Sequence, residues 1–280
     1  MAKASKTKSR LSWAIAWILG LFWTVVATLP FVFMVINSFK EKFEMLTNGI
    51  FSLPKEWNFD NYRTVLEGNF IQFFINSVVV LVVSLGILLF ISSCAAYPLS
   101  RFKFKLSGPI YALIVACMSI PIHITLIPVF KLSQQMGIYD SIWALIGPYV
   151  ATAIPISVFI LTSFMKGIPG EIEEAAQIDG CSKYQMFFKV IMPLAKPGLA
   201  TLAIYNGVNM WNEFSFAYTL TQTAKNRTLP LAVWEFQGQY SMNAPLVMAV
   251  LTLTVLPMIL LFIFAQDKLV KGMTAGAVKG

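Results

Sequence analysis

The chain has 280 residues, of which 57% are hydrophobic and only 12% are charged, and its formal net charge is +8 at pH 7. Soluble domains carry about 25% charged residues, so this composition excludes an ordinary water-soluble globular protein and indicates an integral membrane protein. We attribute the positive charge to membrane topology and to contact with anionic lipid, and we expect no nucleic-acid partner.

Uncharged windows define the candidate membrane spans. Five windows of 25 residues or more contain no Asp, Glu, Lys or Arg, and about 20 residues suffice to cross the hydrocarbon core. A sixth window, 197–212, ends at Glu213 and spans the membrane only if that carboxylate lies near an interface. Because lipid offers the backbone no hydrogen-bond partners, each span should be an α-helix. The sequence predicts an all-α membrane protein with six transmembrane helices, at approximately 12–38, 73–98, 108–130, 142–164, 198–218 and 246–265.

The basic residues predict the orientation of these spans. The N-terminal segment 1–10 resembles a signal peptide, but the apolar run after it is too long for one, so we interpret it as an uncleaved first helix. Segments on the cytoplasmic side are enriched in Lys and Arg. With the N-terminus in the cytoplasm, the inner segments 1–10, 101–107, 166–196 and 267–280 hold 14 of the 21 basic residues. We therefore expect a single membrane domain, residues 1–280, with both termini, loop 166–197 and tail 267–280 in the cytoplasm.

Loop 166–197 has the signals of a short helix. Pro169 is suited to the first turn, and three glutamates follow it, where carboxylates favour the positive end of a helix. Gly180 is a natural left-handed stop. The small side chains of Ala175 and Ala176 lie in the middle of this helix, so a partner surface can approach its backbone closely.

The same loop resembles the EAA motif of bacterial ABC importer permeases, which is Glu-Ala-Ala, three residues, Gly, nine residues, then Ile-x-Leu-Pro. Val190 and Met192 depart conservatively from that pattern. In that family the motif docks onto a separate ATP-hydrolysing subunit. The resemblance assigns coupling to the ATPase to Glu174, Ala175, Ala176, Asp179, Gly180 and Pro193.

The last residues resemble the C-terminal tail of the smaller membrane subunit of the maltose-type sugar permeases. Segments 211–214, 228–230 and 236–238 agree with that subfamily, so the resemblance covers nearly the whole chain in order. The alternative is a frayed basic terminus. The resemblance assigns contact with the ATPase subunits to Thr274, Ala275, Gly276 and Lys279.

These resemblances imply a fold, a location and a set of partners. They imply the type I ABC importer permease fold in a bacterial inner or plasma membrane. They also imply a second, larger permease subunit, two ATP-binding subunits, and an extracellular or periplasmic solute-binding protein that delivers a sugar. Transport would proceed by alternating access. An importer of a different solute, such as glycerol phosphate or a polyol, stays open as an alternative.

The chain carries little chemistry of its own. It has no G-x-x-x-x-G-K-[ST] loop, so ATP and Mg²⁺ must be handled by partner subunits. We expect no catalytic residue, no bound cofactor and no metal site, since the single histidine, His123, has no ligand partners at metal spacing. Apart from Glu213 the predicted spans carry no charge, which disfavours an ATP-independent secondary carrier. A membrane enzyme is disfavoured for lack of a catalytic cluster.

The fifth predicted helix is the most polar. Asn206, Asn209 and Glu213 share one helical face, and Asn212 lies beside them. These groups suit sugar hydroxyls, which would make them part of the substrate path. Equally, polar side chains in membrane bundles bond neighbouring helices, and the sequence leaves both interpretations open.

Overall fold

The computed structural model describes residues 2–236 and 243–277, with side chains at 13–45, 47–236 and 243–264. Within these residues the secondary structure is helical throughout, without a strand, which confirms the all-α prediction. Lys279 lies outside the described residues, and of Thr274, Ala275 and Gly276 only the backbone is described.

Fourteen α-helices follow one another along the described chain. They are α1 Ala2–Ser38, α2 Glu44–Thr47, α3 Asp60–Glu67, α4 Phe70–Arg101, α5 Ser107–Ala116, α6 Leu126–Gln135, α7 Trp143–Lys166, α8 Glu171–Ile178, α9 Lys183–Gln185, α10 Met192–Leu194, α11 Lys196–Trp211, α12 Ser215–Leu220, α13 Ala232–Phe236 and α14 Ala244–Ala277. Short 3₁₀ turns lie between several of them, and a π-helical segment, Met186–Ile191, joins α9 to α10.

Four helices in the described part are long and apolar enough to cross a membrane, or up to six spans if each of two bent pairs is counted as one. The four are Trp13–Ser38, Phe70–Arg101, Trp143–Lys166 and Ala244–Phe264. The helix ends Ser38, Phe70, Arg101, Trp143, Lys166 and Ala244 lie within three residues of the expected span ends, whereas the helical backbone of α1 and α14 continues past the other two, to Ala2 and Ala277. The apolar runs therefore locate these spans closely.

The expected spans 108–130 and 198–218 are not single continuous helices, and parts of them lie in the two bent pairs. The first pair, Ser107–Ser119 and Ile122–Gln135, is bent by 93°. Pro121 has no N–H and disfavours the helical conformation at Ile120, which is extended with ψ 114°. The helix must therefore restart after the proline.

The second departure lies at the end of the fifth predicted span. Helix α11 ends at Trp211 and a separate helix, α12, begins at Ser215. The Glu213 carboxylate accepts the backbone N–H groups of Phe216 at 2.9 Å and Ala217 at 3.2 Å. A continuous helix over 198–218 is therefore not formed, since α12 is a separate helix with Phe214 at its N-cap position. The carboxylate of the preceding Glu213 satisfies two N–H groups of its first turn.

The chain divides into two compact units, the first comprising Met1–Gly68 and Val233–Leu256. In it, the loop after α1 folds around Lys40, whose buried ammonium donates to Gly49 O and Ser52 Oγ, both at 3.2 Å. Burial lowers the pKa of Lys40. The Asn61 amide donates to Ser38 O and to Lys40 O, both at 2.9 Å, and so ties α3 to the end of α1.

The second unit comprises Asn69–Ala232 and Pro257–Gly280, and its centre is the closely packed pair α4 and α7. These helices run in the same direction, because Asn76 near the beginning of α4 and Asp140 just before α7 bind the same segment, 221–229, while Arg101 at the end of α4 binds Ile168 just after α7. Their surfaces include buried small polar residues such as Ser92 and Ser157. At Gly198 of α11, a Cβ would lie 2.9 Å from the Phe164 ring of α7, so glycine allows these two helices to approach closely.

Side chains hold segment 221–229 at the beginning of α4 and α7. Asn76 donates to the backbone oxygens of Lys225 at 2.8 Å and Arg227 at 2.7 Å. The Asp140 carboxylate accepts the N–H groups of Gln222 at 2.7 Å and Thr223 at 3.0 Å. Partial burial raises the pKa of Asp140, but these hydrogen bonds outweigh that effect, so its pKa lies below the ordinary value of 3.8.

Candidate coupling surface and polar cleft

Loop 166–197 follows α7, at the opposite end of that helix from Asp140. A helix of 24 residues is about 36 Å long, so the two ends are separated by the thickness of a bilayer core. The loop consists of α8, a turn at Gly180, α9, the π-helical segment and α10.

Helix α8 ends in a Schellman motif. Gly180 has φ +82°, the left-handed conformation predicted from the sequence. Its N–H donates to Gln177 O, and the N–H of Cys181 donates to Ala176 O, both at 3.0 Å. These two bonds satisfy the last carbonyls of the helix, and they fix the direction in which the chain leaves α8.

The two sides of α8 have different environments. Glu174, Ala175, Asp179 and Gly180 are exposed. Ala176 differs from this group, since it is half-buried and packs against a core cluster that includes Tyr97, Met165 and Phe187. Only part of the predicted coupling set therefore lies on the free side of the helix, and the small side chain of Ala176 serves packing within the chain.

Three apolar side chains extend the exposed side of the loop. Ile178 is 87% exposed, Tyr184 is 81% exposed and Phe188 is 54% exposed. Pro193 is also exposed, in the first turn of α10. We name the exposed residues Glu174, Ala175, Ile178, Asp179, Gly180, Tyr184, Phe188 and Pro193 the coupling surface. Ile178, Tyr184 and Phe188 are not among the residues predicted from the sequence. The amphipathic pattern of 183–191, with Met186 and Phe187 on its apolar side, is the signal that could have placed Tyr184 and Phe188 on the opposite side.

A capping box begins the second half of the loop. Ser182 Oγ accepts the N–H of Gln185 at 3.3 Å, and the Gln185 side chain accepts the N–H of Ser182 at 2.9 Å. The π-helical segment follows, with Met186, Phe187 and Ile191 buried. Helices Lys183–Leu194 and Lys196–Trp211 then meet at 69°. The Schellman motif at the end of α8 and the capping box at the beginning of α9 are both formed by backbone and side-chain groups of the loop itself. The loop is therefore a folded element and not a loose linker.

One ion pair joins α8 to the ends of α4 and α7. Arg101 Nε lies 2.5 Å from Glu173 Oε1, and the two side chains are only 12% and 13% exposed. Arg101 Nη2 also donates to Ile168 O at 3.0 Å. Glu173 precedes the motif glutamate Glu174, and its side chain faces the bundle while Glu174 faces solvent.

The predicted polar stripe contributes to a cleft of about 320 Å³ within the second unit. Its lining includes both polar and apolar groups, among them Tyr149, Thr152, Tyr205, Asn206, Asn209 and Glu213.

The two asparagines of α11, Asn206 and Asn209, and its C-cap residue, Asn212, differ in their roles. Asn206 is buried, and its amide donates to Ser157 Oγ of α7 and to Leu202 O, both at 3.0 Å. Asn209 and Asn212 are exposed and donate to carbonyls four residues earlier, at 2.9 Å and 2.8 Å. The structure thus gives Asn206 the helix-bonding role, places Asn209 in the lining of the cleft, and leaves Asn212 in the turn between α11 and α12.

Apolar spans, a folded polar loop at one end and a polar cleft within the bundle define a membrane transport subunit. Residues 88–275 match the family described as the binding-protein-dependent transport system inner membrane component. The chain belongs to this family, which confirms the family resemblance found in loop 166–197.

Similar proteins agree with this assignment. The chain is 50% identical over 258 residues to a putative ABC transporter permease protein, ORF2, of Caldicellulosiruptor sp. (strain Rt8B.4), covering 92% of this chain and 94% of the relative. It is 36% identical over 264 residues to AmyC of Thermoanaerobacterium thermosulfurigenes, described as a probable starch degradation products transport system permease, covering 93% and 95%. In fold it resembles a chain of a bacterial ABC transporter involved in alginate import, with a TM-score of 0.81, 20% identity, and coverage of 92% and 96%. The type I ABC importer permease fold is therefore confirmed.

Proposed function

We propose that this chain is one of two permease subunits of a carbohydrate importer in a bacterial cell membrane. The chain works with a second, larger permease, two ATP-binding subunits and a solute-binding protein. It binds no cofactor itself, and ATP and Mg²⁺ are used by the partner subunits. The relative described as a transporter of starch degradation products supports a carbohydrate substrate.

The observation that carries this proposal is the coupling surface. Ile178 and Tyr184 are almost fully exposed on an otherwise well-capped loop, although large apolar side chains on a folded loop favour burial. Exposed apolar residues beside polar ones mark protein-interaction sites. The ATP-binding subunit docks here, its movement displaces α8, and the attached bundle changes between inward- and outward-facing states.

The C-terminal tail supplies a second contact with the ATP-binding subunits in this proposal. The backbone of α14 is helical to Ala277, so the chain extends beyond the apolar span that ends at Phe264. Thr274, Ala275, Gly276 and Lys279 are the residues that the family resemblance assigns to this contact.

The cleft lined by Asn209, Tyr205 and Thr152 forms this subunit's part of the substrate path. Amide and phenol groups bond sugar hydroxyls, and aromatic rings contact the apolar faces of sugars. Asn206 and Glu213 contribute by positioning, since both are already engaged in hydrogen bonds within the chain. Asn212 lies at the edge of this path.

Uptake into proteoliposomes that contain the whole complex tests the proposal. We expect ATP-dependent uptake of a radiolabelled oligosaccharide from the binding protein, competed by unlabelled oligosaccharide. Uptake of glycerol 3-phosphate with no oligosaccharide uptake would refute the substrate class and favour the alternative importer. Uptake that proceeds without the ATP-binding subunits would refute the mechanism.

The orientation is tested at the coupling surface itself. Cys181 is half-buried, whereas Cys94 and Cys117 are exposed, so Ile178→Cys in a background with all three native cysteines changed to Ala provides a single accessible thiol. We expect an impermeant maleimide to label it in inside-out vesicles and not in intact cells. Labelling in intact cells would reverse the orientation.

A further inference from the structure

Arg101 occupies a position that the family resemblance does not address. It is the last residue of α4, and its guanidinium reaches both Glu173, in the first turn of α8, and the backbone oxygen of Ile168, just after α7. This side chain therefore links the end of α4 to the stretch between α7 and α8, which lies 67 residues later in the chain at Ile168. The contacts are enclosed, since the two charged side chains are 12% and 13% exposed and Ile168 is 9% exposed.

The chemistry of this arrangement is specific to arginine. A guanidinium stays charged and presents several N–H donors in a fixed plane. Arg101 can therefore donate a hydrogen bond through Nη2 to Ile168 O while its charge pairs with the Glu173 carboxylate, a close ion pair without hydrogen-bond geometry. A lysine ammonium lacks that geometry. Because both charges are mostly removed from water, neither is well solvated if its partner is lost. The contact is therefore retained as a unit and not exchanged freely with solvent.

The neighbouring charges differ from this pair. Glu171 and Glu174 on α8 are exposed, as are Lys166 and Lys183. Lys183 Nζ lies 5.7 Å from the Phe102 ring, and Lys166 Nζ lies 5.5 Å from the Tyr111 ring. Arg101 and Glu173 are thus the charges of this region that face inward, between α8 and the bundle.

We propose that Arg101 and Glu173 are positioning residues that join α8 rigidly to the ends of α4 and α7, so that displacement of α8 moves this helix pair as one body. The inference rests on the proposed docking of the ATP-binding subunit at α8. Glu174 and its exposed neighbours meet the partner, whereas Glu173, one residue earlier, transmits the displacement inward. Loss of the ion pair should leave docking in place and uncouple it from transport.

The decisive quantity is the amount of solute transported per ATP hydrolysed by the assembled complex. In proteoliposomes, Arg101→Ala and Glu173→Ala should each keep the ATP-binding subunits and hydrolyse ATP, while transport per ATP falls by about tenfold or more. In the double variant, transport per ATP should fall no further than in either single variant, because each of the three variants removes the same ion pair. The matched control is Glu67→Ala, which breaks the Arg63–Glu67 pair, an exposed pair with side chains 74% and 66% exposed.

A merely structural contact gives a different result. It would lower the melting temperature and the yield of complex, but the complexes that survive would transport as much solute per ATP as the wild type. That outcome overturns the proposal. The proposal is also overturned if the fall in transport per ATP in the double variant equals the product of the two single-variant falls. If Arg101→Ala does not assemble, Glu173→Gln keeps the shape of the side chain and removes only its charge, and the same ratio decides.

The test also separates this inference from the proposed function. A wild-type complex that shows no ATP-dependent oligosaccharide uptake would refute the proposed function. Normal wild-type uptake, together with an unchanged ratio in Glu173→Ala, would refute only the role of the ion pair.

Discussion

The coupling surface depends on one backbone conformation, that of Gly180. Its φ of +82° lies in the left-handed region, and a Cβ built there would meet no atom within 4 Å. A larger residue at this position would therefore act through backbone strain and not through a clash. The left-handed conformation costs a non-glycine residue about 1–2 kcal/mol, which changes an equilibrium by about five- to thirtyfold.

Gly180→Leu should therefore shift the loop away from the docking-competent conformation. If only that conformation binds, the apparent affinity for the ATP-binding subunit should weaken by up to about thirtyfold, in proportion to its lost population. Gly180→Asn should retain most of the affinity, because asparagine tolerates the left-handed region. The assay is a titration of labelled ATP-binding subunit against the purified permease pair.

Gly137 provides a matched control. It has φ +69°, a Cβ there would also meet no atom within 4 Å, and it closes α6 with the same pair of bonds, Gly137 N–H to Gln134 O and Ile138 N–H to Ser133 O, both at 3.0 Å. Gly137→Leu should produce similar strain at the other end of the bundle and leave the affinity unchanged. Equal weakening by the two leucine variants, or none with Gly180→Leu, would refute the reasoning.

Three further predictions concern other parts of the chain. Asn206→Ala should lower the unfolding free energy by about 0.6–1.7 kcal/mol, seen as a lower melting temperature, whereas Asn209→Ala should reduce uptake at unchanged melting temperature; the reverse pattern would refute the assignment of roles. The pKa of Asp140 is lowered in the folded state, so its ionised carboxylate stabilises the fold above the ordinary carboxyl pKa, and this stabilisation is lost as pH falls through the lower folded value. The melting temperature of Asp140→Asn should therefore fall less than that of the wild type between about pH 5 and pH 3. Parallel wild-type and variant profiles would contradict this. Deletion of 272–280 removes no membrane span and should leave insertion intact but lower ATP hydrolysis and uptake; wild-type rates would show that the tail has no part in coupling.

The sequence predicts some features of this fold well because they depend on local chemistry. Long apolar windows locate the spans, since a membrane helix must be apolar along its whole length. Gly180 marks the end of α8, since few other residues adopt the conformation that the Schellman motif requires. The break at Ile120 and Pro121 is also local, although its 93° angle depends on the packing of the flanking helices.

Other features depend on what lies opposite a side chain, which a sequence pattern does not contain. Asn206 and Asn209 share a stripe, yet only Asn206 faces Ser157 of α7. Glu213 ends the same stripe and its carboxylate accepts two N–H groups of α12, because the chain turns there. The pairing of Arg101 with Glu173 is equally invisible, since the two residues belong to distant segments and each resembles an ordinary interfacial charge.

The placement of these contacts indicates how a displacement at α8 reaches the membrane. Helices α4 and α7 run in the same direction and pack closely, and their buried small residues, including Ser92 and Ser157, allow close approach of membrane helices. At one end Asn76 and Asp140 bind the same segment, 221–229, and at the other end Arg101 binds α8. Because both ends are held by side chains of the pair or of its adjoining loops, the proposed displacement of α8 would move the pair together with segment 221–229.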